Sequence, residues 1–130
     1  MAEVEIVLHA IPTPDSRPYL IVLGPDRQLW FCENGAAKIG RMNPADASFA
    51  EFATPTPKSR PVGIAPVADG ALWFCENAAN KVGRMAPDGR LIGEYPIPIG
   101  SCGARAIVAI PDGRLFFSAH DAGAIGEVIP

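Results

Sequence analysis

The sequence is poor in most of the residues that carry ready-made chemistry. It has two histidines, three cysteines and no CxxC pair, which argues against a zinc centre built on cysteine. No stretch gathers five or six basic residues, and the net charge is −3, so nucleic acid is not expected as a partner. No apolar run approaches the roughly 20 residues of a membrane span, so no membrane role is expected either. The opening Met1-Ala2-Glu3-Val4-Glu5 is acidic and lacks the basic start and apolar block of a secretory signal. With an odd cysteine count, this points to reduced thiols in a cytoplasm. No segment sustains a 3.6-residue apolar period, so almost no helix is expected.

What is abundant is turn chemistry. The 14 prolines and 13 glycines are scattered along 130 residues, the pattern of many turns between short strands. Hydrophobic residues make up 48% and charged residues 19%, a globular composition with enough apolar mass for one core.

The chain matches itself at a period of 43 without gaps. Leu29-Trp30-Phe31-Cys32-Glu33-Asn34 falls on Leu72-Trp73-Phe74-Cys75-Glu76-Asn77 and, degraded, on Leu115-Phe116-Phe117-Ser118-Ala119-His120. Lys38-Ile39-Gly40-Arg41-Met42 falls on Lys81-Val82-Gly83-Arg84-Met85, then on Ala124-Ile125-Gly126-Glu127-Val128. Asp26, Asp69 and Asp112 align, as do Pro12, Pro55 and Pro98. One repeat reads as four strands: Val62–Pro66, Ala71–Glu76, Lys81–Met85 and Leu91–Ile97. Turns at Asp69-Gly70 and Asp88-Gly89 separate them, since Asp-Gly tolerates the backbone of a tight turn. Four strands in a unit of this length make a β-propeller blade.

The expected architecture is therefore all-β, a single domain 1–130 of three four-stranded blades. Residues 1–16 form an outer strand (roughly Val4–Ile11) that completes the last blade; blade one is 17–57, blade two 58–100 and blade three 101–130. Propellers close with about 4–8 blades, so three leave sheet flanks open. Two readings follow: a homodimer closing a six-bladed ring, each N-terminal strand completing the other chain's last blade, or a fragment of a larger propeller.

The segment from Pro61-Val-Gly-Ile through Asp69-Gly-Ala-Leu-Trp-Phe-Cys-Glu-Asn and Asn80-Lys-Val-Gly-Arg-Met to Ile92-Gly-Glu-Tyr-Pro-Ile-Pro resembles the blade of the streptogramin B lyase family, and the likeness covers essentially the whole chain. The resemblance implies a seven-bladed propeller, Mg²⁺ as cofactor, a role in antibiotic resistance, and opening of cyclic peptide antibiotics by elimination at an ester. It also implies a histidine just after the proline that opens strand one and a glutamate that ends strand two. Glu33 and Glu76 fill the glutamate position, with Ala119 in blade three; Tyr19, Val62 and Arg105 stand where the histidine belongs.

Strand one begins and strand two ends at the same end of a blade, because adjacent strands are antiparallel. One ring face should thus collect Arg17, Tyr19, Arg60, Arg105, Glu33 and Asn34. It should also collect Glu76, Asn77, His120 and Asp121. Such a mouth suits a small-molecule or peptide ligand. Glu33 and Glu76 offer oxygens to Mg²⁺, or bond the backbone of the next blade. His120 replaces asparagine in the one diverged blade; it is either a displaced base acting with Glu76, with Asp121 beside it, or a solvated loop residue. Arg105 is suited to a carboxylate or phosphate, or to a neighbouring acid. Tyr19 stacks on a ligand or packs at the ring edge. His9, on the outer strand, is assigned no role. Cys32 and Cys75 read as small core residues sharing a face with Trp30 and Trp73; Cys102, in a Gly-Ser-Cys-Gly loop, is expected to be exposed. Two functions remain in view, a ligand-binding ring and a lyase, with a scaffold for protein partners as a third.

Overall fold

The computed structural model describes residues 3–130, and among them every regular element is a β-strand. β1 (Pro18–Leu23), β2 (Leu29–Glu33), β3 (Lys38–Asn43) and β4 (Ser48–Ala53) form one antiparallel sheet in sequence order. β5 (Pro61–Pro66), β6 (Leu72–Glu76), β7 (Lys81–Met85) and β8 (Leu91–Pro96) form the second. β9 (Ala104–Ala109), β10 (Leu115–Ala119) and β11 (Ala124–Val128) form a third, three-stranded sheet. The expected strand boundaries hold to within a residue. The registers repeat too: Phe31 faces Gly40, Phe74 faces Gly83 and Phe117 faces Gly126.

The turns explain the punctuation. Gly70, Gly89 and Gly113 hold φ near +90° in the three Asp-Gly turns, a conformation open to glycine at no steric cost. In each turn the aspartate carboxylate accepts the backbone N–H two residues on: Asp69 from Ala71, Asp88 from Arg90, Asp112 from Arg114. The glycine of the Lys-x-Gly-Arg string has a different cause. A Cβ at Gly40, Gly83 or Gly126 would lie 2.1–2.2 Å from the ring of Phe31, Phe74 or Phe117. The aromatic ring lies flat across the next strand, and only a bare backbone fits beneath it.

Strand residues alternate between two faces. One face of blade one carries Trp30, Cys32 and Ile39; it packs on Ile64, Leu72, Phe74 and Met85 of blade two. The matching face of blade two, with Trp73, Cys75 and Val82, packs on Leu115, Phe117 and Ala119 of blade three. Each large side chain buried here contributes roughly 1.5–3 kcal/mol. Outside the cores, Arg41 caps Trp30 and Phe52 at 5.5 and 5.4 Å, and Arg84 caps Trp73 at 5.1 Å.

Two expectations meet a different outcome. Val4–Ile11 is not a strand in the single chain: residues 3–17 have no regular secondary structure and 3–10 are exposed. A strand needs a neighbouring ladder, and a single chain supplies none to this segment. Met1 and Ala2, also assigned to the 1–16 strand region, lie outside the described residues. Cys102 is buried and not exposed. Its N–H donates to Asn80 Oδ1 at 3.2 Å and its carbonyl accepts from Asp121. That pins the loop inward, so the thiol joins Cys75 and Ala104 in the core between blades two and three.

Candidate functional site

Glu33 and Glu76 are fully buried. Each ends the second strand of its blade and turns back across the sheet toward a second glutamate. Burial, then the hydrogen bond and charge of Glu51, push Glu33 up to about 8. Burial and Glu94 do the same to Glu76, also to about 8. Burial alone would raise Glu94, but hydrogen bonds from Glu76 and Thr56 and the Lys81 charge together hold it below the ordinary range. Glu51 is held down in the same way by Glu33, Thr13 and Lys38. With both carboxyls of a pair ionised, the buried oxygens of Glu33, Glu76, Glu51 and Glu94 would lack a donor. One shared proton per pair supplies it.

A lysine and a threonine complete each cluster. Lys38 Nζ donates to Thr13 at 2.9 Å, and Lys81 Nζ donates to Thr56 at 3.0 Å while lying 3.7 Å from Glu94. Thr56 Oγ1 donates to Glu94 at 3.0 Å. Lys38, Glu51, Thr13 and their counterparts were missed in the sequence; the signal available was their recurrence at the same 43-residue step. These clusters do not fit the Mg²⁺ that the resemblance implies. Each has two carboxyl groups already neutralised by a proton and an ammonium, whereas the ion is held by several free oxygens. No group of three or more His, Cys, Asp or Glu is assembled among the described residues.

The ring-face residues divide by blade. Arg17, Asn34 and Arg60 meet in one open cleft of about 560 Å³, together with Asp15, Gly35 and Lys58. Three cations and one acid thus line it. Arg17, Lys58 and Arg60 all adopt left-handed backbone, with φ of 48°, 53° and 52°. The position after Arg17 and Arg60 in the repeat is Gly103, φ 72°. Glycine takes this conformation freely, while another residue there costs about 1–2 kcal/mol. Arginine is retained at the two copies that line the cleft.

Asn34 and Asn77 are clasps between blades. The Asn34 side-chain amide donates to Pro61 O at 3.4 Å and that of Asn77 to Ala104 O at 2.9 Å. The backbone of the next blade is thus met by asparagine, not by the glutamate beside it. Tyr19 lies apart from the cleft, half-exposed on the free flank of blade one with Ile11, Phe31, Met42 and Phe49. Arg105 is exposed at the start of β9. His120 is exposed, with Nδ1 2.8 Å from Asp121 Oδ1. No hydrogen bond among the described residues joins His120 to Glu76. Burial raises the thiols of Cys32 and Cys75, the latter to about 12, so they are inert core groups.

None of the curated proteins matches the chain. Among solved structures, virginiamycin B lyase from Staphylococcus aureus aligns with a TM-score of 0.88 at 39% identity, covering 92% of this chain and 40% of that one. A streptogramin B lyase aligns with a TM-score of 0.80 at 35% identity, covering 90% and 42%. A catalytically inactive histidine-to-alanine variant of the S. aureus enzyme with quinupristin aligns with a TM-score of 0.83 at 34% identity, covering 94% and 44%. The chain therefore spans less than half the length of each of these proteins. The profile of the virginiamycin B lyase family matches residues 1–130 throughout, and the chain belongs to that family.

Proposed function

We propose that this chain is a ligand-binding member of the family: a cytoplasmic propeller that two copies close into a six-bladed ring, holding a small-molecule or peptide ligand at the ring mouth. One observation carries the reading: Arg17, Lys58 and Arg60 converge on a single cleft beside Asn34 and Gly35, two of them arginines kept in a backbone conformation that glycine would adopt without cost. Strain held at a concave, cationic site supports a binding role. The donors suit a ligand rich in carbonyls or carboxylates. The free thiols support a reducing compartment.

A second reading is supported by the 2.8 Å contact between His120 Nδ1 and Asp121, which orients the imidazole as a base needs. In that reading the ring opens a cyclic ester-linked antibiotic by elimination, with His120 as base and Glu76 assisting, and confers antibiotic resistance. Calorimetry with quinupristin, followed by mass spectrometry of the recovered compound, separates the two. Binding that weakens at least tenfold in Arg60→Ala, with the ligand recovered intact, is the expected result. Turnover lost in His120→Ala or Glu76→Ala would establish the lyase, and absence of binding would remove the cleft from consideration.

A further inference from the structure

A left-handed turn around one buried small residue recurs just before the first strand of every blade. It is Asp15-Ser16-Arg17, then Lys58-Ser59-Arg60, then Ser101-Cys102-Gly103. The flanking residues hold φ of 54° and 48°, 53° and 52°, and 50° and 72°; the middle one is buried each time. The backbone is pinned alike as well. Asn34 N–H donates to the Arg17 carbonyl, Asn77 N–H to that of Arg60 and His120 N–H to that of Gly103. The turn therefore belongs to the fold. Its charges do not, because blade three makes the same turn with serine and glycine.

The two charged turns line the open cleft of about 560 Å³. Arg17, Lys58 and Arg60 are exposed there beside a single acid, Asp15, in a chain whose net charge is −3. Among the described residues none of these four side chains makes an ion pair or a hydrogen bond. Lys38, Arg41, Lys81, Arg84 and Arg114, by contrast, each hold a partner. Ser59, fully buried between Lys58 and Arg60, shares a 2.7 Å hydrogen bond with Thr54, so their stretch of chain is anchored from behind. On the other wall a Cβ at Gly35 would lie 2.3 Å from the Asp15 carbonyl and 3.3 Å from the Arg17 stem. The arginine thus rests on bare backbone. Counting on by 43, the junction of blades two and three sets only Ser101 and Gly103 opposite Lys58 and Arg60. Of the two junctions, the first alone has cations on both walls.

We propose that this cleft grips a phosphoryl dianion, with Arg17 and Arg60 as forks from its two walls and Lys58 as the third cation. The charge count favours this group. Once Asp15 is set against one cation, two remain; a carbonyl matches neither and a single carboxylate matches one. A phosphate monoester carries about −1.5 to −2 charge near neutrality and three strong acceptor oxygens, one for each cation. Arginine's planar fork meets two such oxygens at once. The cleft also has room for more than phosphate, since its volume falls among small-molecule sites of roughly 300–1,000 Å³. Gly35, Ala36 and Ala37 leave an uncharged wall for an organic remainder. The proposal rests on the cleft being the ligand site and names the group it holds.

Calorimetry on the whole chain in low salt tests it, with glycerol 3-phosphate, inorganic phosphate, succinate and glycerol as probes. Both phosphoryl probes should bind at least tenfold more tightly than succinate, and glycerol should not bind. Tighter binding of the monoester assigns an organic phosphate and equal binding the free ion; either supports the site. Arg17→Gly and Arg60→Gly should each weaken glycerol 3-phosphate at least tenfold. Both variants copy the turn that blade three already makes, and circular dichroism checks their folding. Arg90→Ala removes an exposed cation elsewhere and should change binding less than twofold. Succinate held as tightly as phosphate, or glycerol 3-phosphate held equally by both glycine variants, would overturn the phosphoryl assignment. Quinupristin bound in an Arg60-dependent way, without competition from glycerol 3-phosphate, would overturn it and leave the ligand cleft standing. No binding of quinupristin or of any anion would remove both.

Discussion

Replacing Glu76 by glutamine should make the protein more stable in alkali and leave it nearly unchanged in acid. Glu76 is fully buried, and burial with Glu94 lifts it to about 8 from an ordinary 4.5. An acid raised in the folded state binds its proton more tightly there than in the unfolded chain. Its contribution is therefore complete below about pH 4.5 and is lost as pH rises through about 8. The gap between the two values sets a ceiling of about 5 kcal/mol on the cost of ionising it. Two terms offset part of this. Glu94 is held low and favours the folded state as it ionises, and Lys81 lies 3.7 Å from it. A net cost of about 2 kcal/mol at pH 9 is expected. Glutamine keeps the shape and can donate to Glu94 the hydrogen bond that the protonated acid gives, without the charge. Guanidinium unfolding, followed by fluorescence of Trp73 and Trp30 at fixed protein concentration, measures the difference. The two proteins should agree within about 1 kcal/mol at pH 5 and diverge by about 2 kcal/mol at pH 9. Parallel curves across that range would refute the shared-proton account of the pair.

Asn77→Ala should cost about 1–2 kcal/mol by thermal unfolding, because it orphans the Ala104 carbonyl at the blade junction. Asn34→Ala should cost less, since its bond is longer at 3.4 Å. Arg60→Gly should raise stability by about 0.5–1 kcal/mol by relieving left-handed backbone, while weakening ligand binding in the same titration that tests the cleft. A thiol reagent should label no cysteine of the native protein, Cys102 included, and should label three after unfolding; rapid labelling of one thiol in the native state would contradict the burial of that loop.

The fold was legible because it is written three times. The Leu-Trp-Phe-x-Glu and Lys-x-Gly-Arg strings each impose a local geometry, and their spacing reveals how many sheets there are. The site was less legible because its partners are distant in sequence. Glu33 was singled out as a strand end, but its chemistry comes from Glu51, which is placed beside it only by the β3–β4 register. The cleft was half seen: Arg17 and Arg60 follow from the blade phase, whereas Lys58 enters because the backbone before β5 turns left-handed, which no side-chain pattern announces. Tyr19 went the other way. Its repeat position is shared with Arg105, yet blade one has no preceding blade in the single chain, so the residue faces an open flank and not the cleft.

The same repeat logic bears on His120. Asn34 reaches the carbonyl of Pro61 and Asn77 that of Ala104, each 27 residues ahead and one blade on. No blade follows the third in the single chain, and His120 bonds Asp121 instead. In a two-copy ring the equivalent acceptor is the Pro18 carbonyl of the other copy. An imidazole N–H can make that bond as an amide does, so on the two-copy reading His120 takes the clasp role of Asn34 and Asn77. A nitrogen engaged in holding two chains together is not free to remove a proton from a ligand. On the two-copy reading, assembly alone accounts for the histidine at position 120, and calorimetry on Arg60→Ala beside His120→Ala decides between the cationic cleft and the imidazole.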